Sequence, residues 1–318
     1  MKKLLLCLGA AAFAAAQGMA YDFNYTLDTA NMTAEIVAAE DVVNPYQGEV
    51  IIPEQLTVDG LAYTVTSIGY RAFFNTHVTS VTLPSTIKSI KQGAFGFNSF
   101  LASVTLNDGL EEMAWDAFAS TPNLKTITIP GSLKTVPFNA FGRSGLESLT
   151  VSEGVETIEA AFTDCSNLAS VSLPETLKKL DGTFENCAAL TSIALPSSLR
   201  EIGWFTFAGT GIETLEIPEG IEMLDMQSLG MMNGDHNRDY TLKKVVFPAS
   251  LKTVYGKTLN NRYGITELTF NGDGSTITVN DTYTDFLAKT ALETLFLNRT
   301  FTNAAGADVT SDVIGNKN

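Results

Sequence analysis

Three cysteines, two tryptophans and two histidines are all that this 318-residue chain contains of those types. Cys7 falls in an apolar leader, so Cys165 and Cys187 remain, too few to build a disulfide framework. His77 and His236 are far apart in sequence and fit no zinc spacing. Basic side chains are scarce as well: 20 Lys and Arg face 35 Asp and Glu, for a formal charge of −15. A surface of that sign repels nucleic acid and anionic lipid, which makes both poor partners. There is no nucleophile elbow, phosphate loop or pair of carboxylates in a plausible cleft. The chain therefore reads as a non-enzyme with no cofactor and no metal.

Long apolar runs are confined to the first 20 residues, MKKLLLCLGAAAFAAAQGMA. Lys2 and Lys3 precede an apolar stretch from Leu4 to Ala16, and Gly18-Met19-Ala20 supplies small residues for cleavage. Residues 1–20 read as a secretory signal peptide, with the mature chain starting at Tyr21. Leu6 stands where a lipoprotein needs a small residue before its cysteine, so Cys7 is not read as a lipid anchor. The mature chain, with no membrane span expected, is placed in the secreted or cell-surface fraction, the periplasm being the other destination.

A repeat fills most of the mature chain. LASVSLPETLKKLDGTFENCAA (168–189) runs directly into LTSIALPSSLREIGWFTFAGTG (190–211), and their Leu, Val/Ile, Leu, Pro, Leu, Leu/Ile and Phe positions nearly coincide. The series continues on both sides: VTSVTLPSTIKSIKQGAFGFNSF (78–100), LASVTLNDGLEEMAWDAFASTPN (101–123), LKTITIPGSLKTVPFNAFGRSG (124–145) and LESLTVSEGVETIEAAFTDCSN (146–167). It resumes in 212–230 and 242–261, on either side of an insertion at 231–240, and is degenerate after 265. Each LxxVxLP stretch has the alternation of a short strand, LKxI is a second extended piece, and IGxxAF bends the chain back. One such turn cannot bury its apolar side alone, so neighbours must stack. The expected fold is mainly β with short turns or 3-10 segments: a right-handed solenoid of stacked parallel strands, about ten coils over 48–300. Residues 21–47 are expected to form a capping hairpin and 301–318 a frayed polar tail.

Three columns arise from this register. Phe73, Phe95, Phe118, Phe141, Phe162, Phe184 and Phe207 recur every 21 to 23 residues and should stack as a buried spine. Cys165 and Cys187 share the position just after it, where free buried thiols are expected. The charges after the main strand, Lys88, Glu111, Lys134, Glu156, Lys178, Arg200, Glu222 and Lys252, alternate in sign except between Lys178 and Arg200. Opposite charges on adjacent strands favour one register over its neighbours, so this column reads as structural.

These residues resemble the BspA-like leucine-rich repeats of bacterial surface proteins, over about 48–264 and more weakly to 300, including the opening coil VDGLAYTVTSIGYRAF. The resemblance implies a leucine-rich-repeat solenoid of the kind common in Bacteroidetes and associated with adhesion and protein binding. The expected function is accordingly an exported binding protein with a host or bacterial protein partner. Glycan binding, or a structural role in the envelope without a ligand, are the alternatives.

For the binding residues themselves, three surfaces compete. Outward positions of the main strands are almost all hydroxyls (Ser80, Thr82, Ser103, Thr105, Thr126, Thr128 and their successors) and lack the aromatic and Arg anchors that dominate interfaces. Three residues before the spine lie Tyr70, Gln92, Trp115, Phe138, Glu159, Asp181, Trp204 and Met226. Both tryptophans fall in this row, which either covers the core or faces solvent as a gripping patch. Tyr70, Trp115, Phe138 and Trp204 are the candidate partner-binding residues. His77 is read as a turn residue, and His236 with Asp235 and Asp239 as a solvated loop. NGDGS (271–275) lacks the closing Glu of a calcium loop.

Overall fold

The computed structural model describes residues 23–39, 46–225, 227–230, 241–259, 261–272, 274–280, 287 and 290–315. The expected leader at 1–20, Met226, and the insertion at 231–240 with Asp235, His236 and Asp239 lie outside the described residues. The chain is a nearly all-β solenoid of stacked parallel strands. It divides into two compact units, one ending at Val155 and one beginning at Glu156.

The first unit opens with an antiparallel hairpin of β1 (Tyr25–Asp28) and β2 (Thr33–Ile36). Its turn is tied by Asp28, whose Oδ1 accepts the Ala30 and Asn31 amides at 3.0 and 3.2 Å. Next come β3 (Gln47–Ile51), β4 (Gln55–Val58) and β5 (Leu61–Ile68). β4 and β5 form a second hairpin over Asp59-Gly60, both at positive φ, as a two-residue turn between twisted strands requires. From there each coil contributes two short strands: β6 (His77–Thr82) and β7 (Ser89–Ile90), β8 (Ser103–Thr105) and β9 (Glu112–Met113), β10 (Thr126–Ile129) and β11 (Thr135–Val136). β12 (Ser148–Val151) closes the unit. β3, β6 and β8 pair in parallel, as do β10 and β12, while β2, β5, β7 and β9 build the other sheet. The register sets Val81 beside Val104 and Ile127 beside Leu149. Sequence repeats thus become columns in space.

The corners explain the rest of the consensus. Two residues per corner take left-handed backbone, one two positions before the spine Phe and one two positions after: Arg71 and Asn75, Gly93 and Phe97, Asp116 and Ser120, Asn139 and Arg143. These reverse the chain around the buried ring. Phe73, Phe95, Phe118 and Phe141 stack with centroids 5.0–5.2 Å apart and rings within 8° of parallel. The corner backbone pairs from coil to coil as well, Phe73 N to Ala94 O and Phe95 N to Ala117 O at 2.8 Å. The corner segments are successive i to i+3 turns, such as Ala72 N to Gly69 O and Gly96 N to Gly93 O.

A buried polar column lies three residues after the spine. Thr76 Oγ1 donates to Phe73 O at 3.1 Å, and Thr121 Oγ1 to Phe118 O at 2.9 Å. Asn98 does most: its Nδ2 donates to Phe73 O and Phe95 O at 2.6 and 2.8 Å, and its Oδ1 accepts from Thr76 N and Oγ1. Corner carbonyls that no strand can reach are satisfied this way.

In the second unit β13 (Thr157–Glu159), β15 (Lys179–Asp181) and β16 (Glu201–Ile202) pair in parallel, with β14 (Ser170–Ser172) between the first two in sequence. Phe162, Phe184 and Phe207 continue as a stack at 6.3 Å. Cys165 and Cys187 take the polar-column position as buried free thiols. Cys187 Sγ lies 3.2 Å from Phe162 O, and burial pushes its thiol pKa well up. Thr191–Leu195 alternates like its neighbours but forms no strand; its coil is held through β16. β17 (Thr214–Glu216), β18 (Met223–Leu224), β19 (Lys244–Phe247), β20 (Thr253–Val254), β21 (Glu267–Phe270), β22 (Thr276–Val279), β23 (Thr294–Leu297) and β24 (Thr300–Asn303) then alternate between two four-stranded parallel sheets.

Strand pairing therefore outlasts the sequence repeat. Where the repeat decays, buried arginines take over the carbonyl-capping task. Arg262, three residues after Leu259, sits at the polar-column position and donates to Leu229 O and, at 3.0 Å, to Phe207 O. Complete burial pulls its pKa down to about 9. Arg299 bonds Ser275 O, Ala249 O and Thr276 O at 3.2–3.3 Å. Residues 301–315 also hold more structure than a polar tail suggests. β24 leads to the short α1 (Thr310–Gly315), whose first turn is tied by Asp308 Oδ1 to Thr310 N. Phe301 and Val313 are fully buried, and Val309 N donates to Phe301 O at 2.9 Å, which ties the segment to β24.

The charge column closes as ion pairs at Lys88–Glu111 (3.1 Å), Lys178–Glu156 (2.6 Å) and Lys252–Glu222 (2.7 Å). Lys134 instead donates to Gly154 O at 3.0 Å. At the one step where signs fail to alternate, Arg200 turns to its own coil and donates to Ser197 O and Leu199 O.

Three outcomes are expected. Phe141→Ala should lower stability by about 3–5 kcal/mol, because stacked coils cannot collapse into the cavity; an unchanged denaturation midpoint would contradict the stacking. Asn98→Ala leaves buried carbonyls and the Thr76 amide unpaired and should cost about 2–4 kcal/mol by urea titration. Glu156→Lys should cost up to about 1 kcal/mol, less in high salt because both partners are exposed. Adding Lys178→Glu should restore most of it, and a double variant worse than the single one would show that pairing is irrelevant.

Candidate functional site

The outward residues of the main strands behave as the alternation dictates. Ser103, Thr105, Thr126 and Thr128 are exposed, between buried Val104, Ile127 and Ile129. Hydroxyls directly opposite one another, such as Ser80 and Ser103, stabilise a sheet and offer a flat neutral face. The ion pairs of the charge column engage one another across coils. Neither surface carries an anchor.

The aromatic row does. Each member immediately precedes the first left-handed residue of its corner, where the chain leaves the stack. Tyr70, Trp115, Phe138 and Trp204 are 56, 59, 52 and 54 % exposed, against at most 1 % for the spine rings. In the first unit Trp115 and Phe138 meet edge to face, centroids 6.1 Å apart at 69°. Tyr70 stands under the Arg71 guanidinium at 5.2 Å, with exposed Gln92 in the coil between Tyr70 and Trp115. In the second unit the indole Nε1 of Trp204 donates to Asp225 Oδ2 at 3.3 Å, and the row is otherwise acidic, with Glu159 and Asp181. Only the first unit thus brings two of the four candidate rings into contact.

The same unit exposes rings outside the repeating positions. Phe97 and Phe100 are 51 and 50 % exposed. Phe97 lies 5.1 Å from Phe74, which the Arg71 guanidinium covers at 4.5 Å. Phe100 meets His77 edge to face at 5.0 Å. His77 is the first residue of β6, not a turn residue, because Gln47 of β3 pairs with it and lengthens the strand. Beside it a shallow pocket of about 390 Å³ is lined by Gln47, Gly48, His77, Thr79 and Phe100. A signal for these residues exists in GFNSF, which adds two phenylalanines to a coil that needs one for its spine. Among the described residues no group of three or more His, Cys, Asp or Glu could hold a metal ion, and no helix is long and apolar enough to cross a membrane.

The chain matches the model of the BspA type leucine rich repeat region in six copies, within residues 66–183, 116–234 and 159–280. A leucine-rich repeat protein from Bacteroides ovatus has the same fold, with 22 % identity, a TM-score of 0.57 and 89 % of each chain covered. A leucine-rich repeat protein from Bacteroides capillosus is 29 % identical over 42 % of this chain and 97 % of its own, with a TM-score of 0.37. A leucine rich cell surface protein from Faecalibacterium prausnitzii is 18 % identical over 83 % of this chain and 96 % of its own, with a TM-score of 0.33. No curated protein matches the chain.

Proposed function

Because this chain belongs to the BspA-type leucine-rich repeat family, a family of repeat scaffolds found among bacterial surface antigens, we propose that it is an exported binding protein that takes a protein partner at the cell surface. The grip is the aromatic row, centred on Trp115 and Phe138 in the first unit, with Tyr70 beside them and Trp204 as a separate ring in the second unit. The supporting observation is the exposure of all four rings, each residue more than half open to solvent, at one repeating position of the coils. Large amphipathic or apolar rings of low conformational entropy carry most of the energy in protein interfaces, and here two of them already touch. A protein partner suits this geometry because two exposed rings in contact present a continuous apolar surface for a partner's side chains to cover. The leader at 1–20 supports export. No catalytic role is assigned.

The test uses labelled mature chain on intact cells, with and without prior protease treatment of those cells. Binding should be saturable, lost from protease-treated cells, and at least thirtyfold weaker for Trp115→Ala with Phe138→Ala, from two anchors worth about 1 kcal/mol or more each. Thr126→Ala with Thr128→Ala should stay within threefold of the parent. Melting curves must match throughout. A folded double variant that binds like the parent would remove the aromatic row from the account.

A further inference from the structure

Three local irregularities converge on the corner formed by β3, β6 and the turn after Phe95. The first is a bulge. Gly48 pairs with Val78 but Glu49 with Ser80, so Thr79 is an extra residue in β6. A bulge breaks the stacking of one coil on the next and re-aims a side chain, and Thr79 is one of the residues lining the pocket. Opposite it, Gly48 has a φ of +70° and a Cβ placed there would meet nothing within 4 Å, so the backbone is uncovered.

The second irregularity is Phe97. It holds a φ of +59° at the corner position where other coils place Asn75, Ser120, Arg143, Asp164, Asn186 and Gly209, and it is the only aromatic ring among them. The Asn, Asp and Gly of that set enter left-handed backbone at little cost; a bulky ring does not. Phe97 thus keeps a half-exposed ring on disfavoured backbone, with Phe74 as its aromatic neighbour at 5.1 Å. The third is Phe100, half exposed where the ring could have been polar, and set against His77. Phe97 and Phe100 are three positions apart, so the two rings lie on backbone no more than about 11 Å apart.

We propose that this corner binds a neutral oligosaccharide, with one sugar ring stacked on Phe100 in the pocket and a neighbouring one on Phe97. The chemistry is selective. A pyranose has an apolar C–H face and a rim of hydroxyls; the pocket is mainly apolar, with the Phe100 and His77 rings in its wall and Gln47, Gly48 and Thr79 completing the lining. No carboxylate or ammonium lines it, although the chain as a whole carries −15. A lining without carboxylate, ammonium or guanidinium gives a charged ligand no fixed counter-ion for the water it would lose, so neutral sugars are preferred. The pocket volume falls at the small end of the range for ligand sites, sized for one ring with the remainder of the chain running out over Phe97. This site is distinct from the Trp115–Phe138 pair and does not depend on it.

Ligand-observed NMR on the mature chain tests the proposal, with methyl glycosides of glucose, galactose, mannose and N-acetylglucosamine and their β-linked disaccharides as probes. Saturation transfer to at least one neutral glycoside is expected, with a disaccharide binding more tightly than its monosaccharide. Phe100→Ala and the milder Thr79→Val should reduce that binding at least tenfold and threefold respectively, with the outward-facing Thr128→Ala unchanged. Phe97→Asn is the sharper variant: it should weaken the disaccharide at least threefold without lowering the Tm, because asparagine relieves the backbone. A fall in Tm with unchanged disaccharide binding would make Phe97 structural and overturn its part. Transfer only to methyl glucuronide, only to apolar tripeptides, or to none of the probes would overturn the site as a whole.

Discussion

Everything in this molecule depends on stacking one ring on the next at a corner. A solenoid coil of this size has too little interior to fold alone, and its two strands are only two to six residues long in the regular coils of the first unit. What fixes their register is the Phe column, with spacings near 5 Å that match the separation of paired strands. Slipping a strand by one residue would put every apolar side chain on the wrong face and every spine ring against a turn. The corner must also satisfy the carbonyls that its reversal leaves unpaired. A polar residue three positions after the ring does so, as hydroxyl, amide, thiol or, where the repeat fails, guanidinium.

That division of labour accounts for the conspicuous asymmetry of the sequence. Inward positions and corner positions are constrained by neighbours on both sides, so they recur. In the first unit the residue just before each left-handed turn is exposed rather than packed in the core, so it varies from Tyr70 through Gln92 to Trp115 and Phe138. Freedom of this kind is what a scaffold needs to carry a site. A large ring at such a position adds little to the core and exposes apolar surface, which is what supports the proposed grip.

Much of the fold was legible because the repeat is its own alignment: the spine, both strand types and the pairing order emerge from superposing the coils. The parts that escaped are those where one coil departs from the others. The bulge at Thr79 comes from the longer first coil, whose lengthened β6 also takes in His77. The C-terminal segment looks polar and small, yet Phe301 and Val313 suffice to fold it, since two buried side chains outweigh a short polar composition. Thr191–Leu195 shows the converse, alternation without a strand. As for the site, the aromatic row was visible in the register, but which way it faces was not, because a residue beside a left-handed turn can lie over the core or away from it. Phe97 and Phe100 were hidden for a different reason: a search for what repeats passes over what occurs once.

Both tryptophans of the chain lie in the row and none lies elsewhere, which makes intrinsic fluorescence a direct reading of the central claim that the row faces solvent. The native protein should emit at long wavelength and be quenched by acrylamide almost as efficiently as the unfolded chain, with quenching reduced when a partner covers Trp115. A native spectrum shifted to short wavelength and resistant to acrylamide would mean that these rings are buried, and the aromatic row would then be core rather than grip.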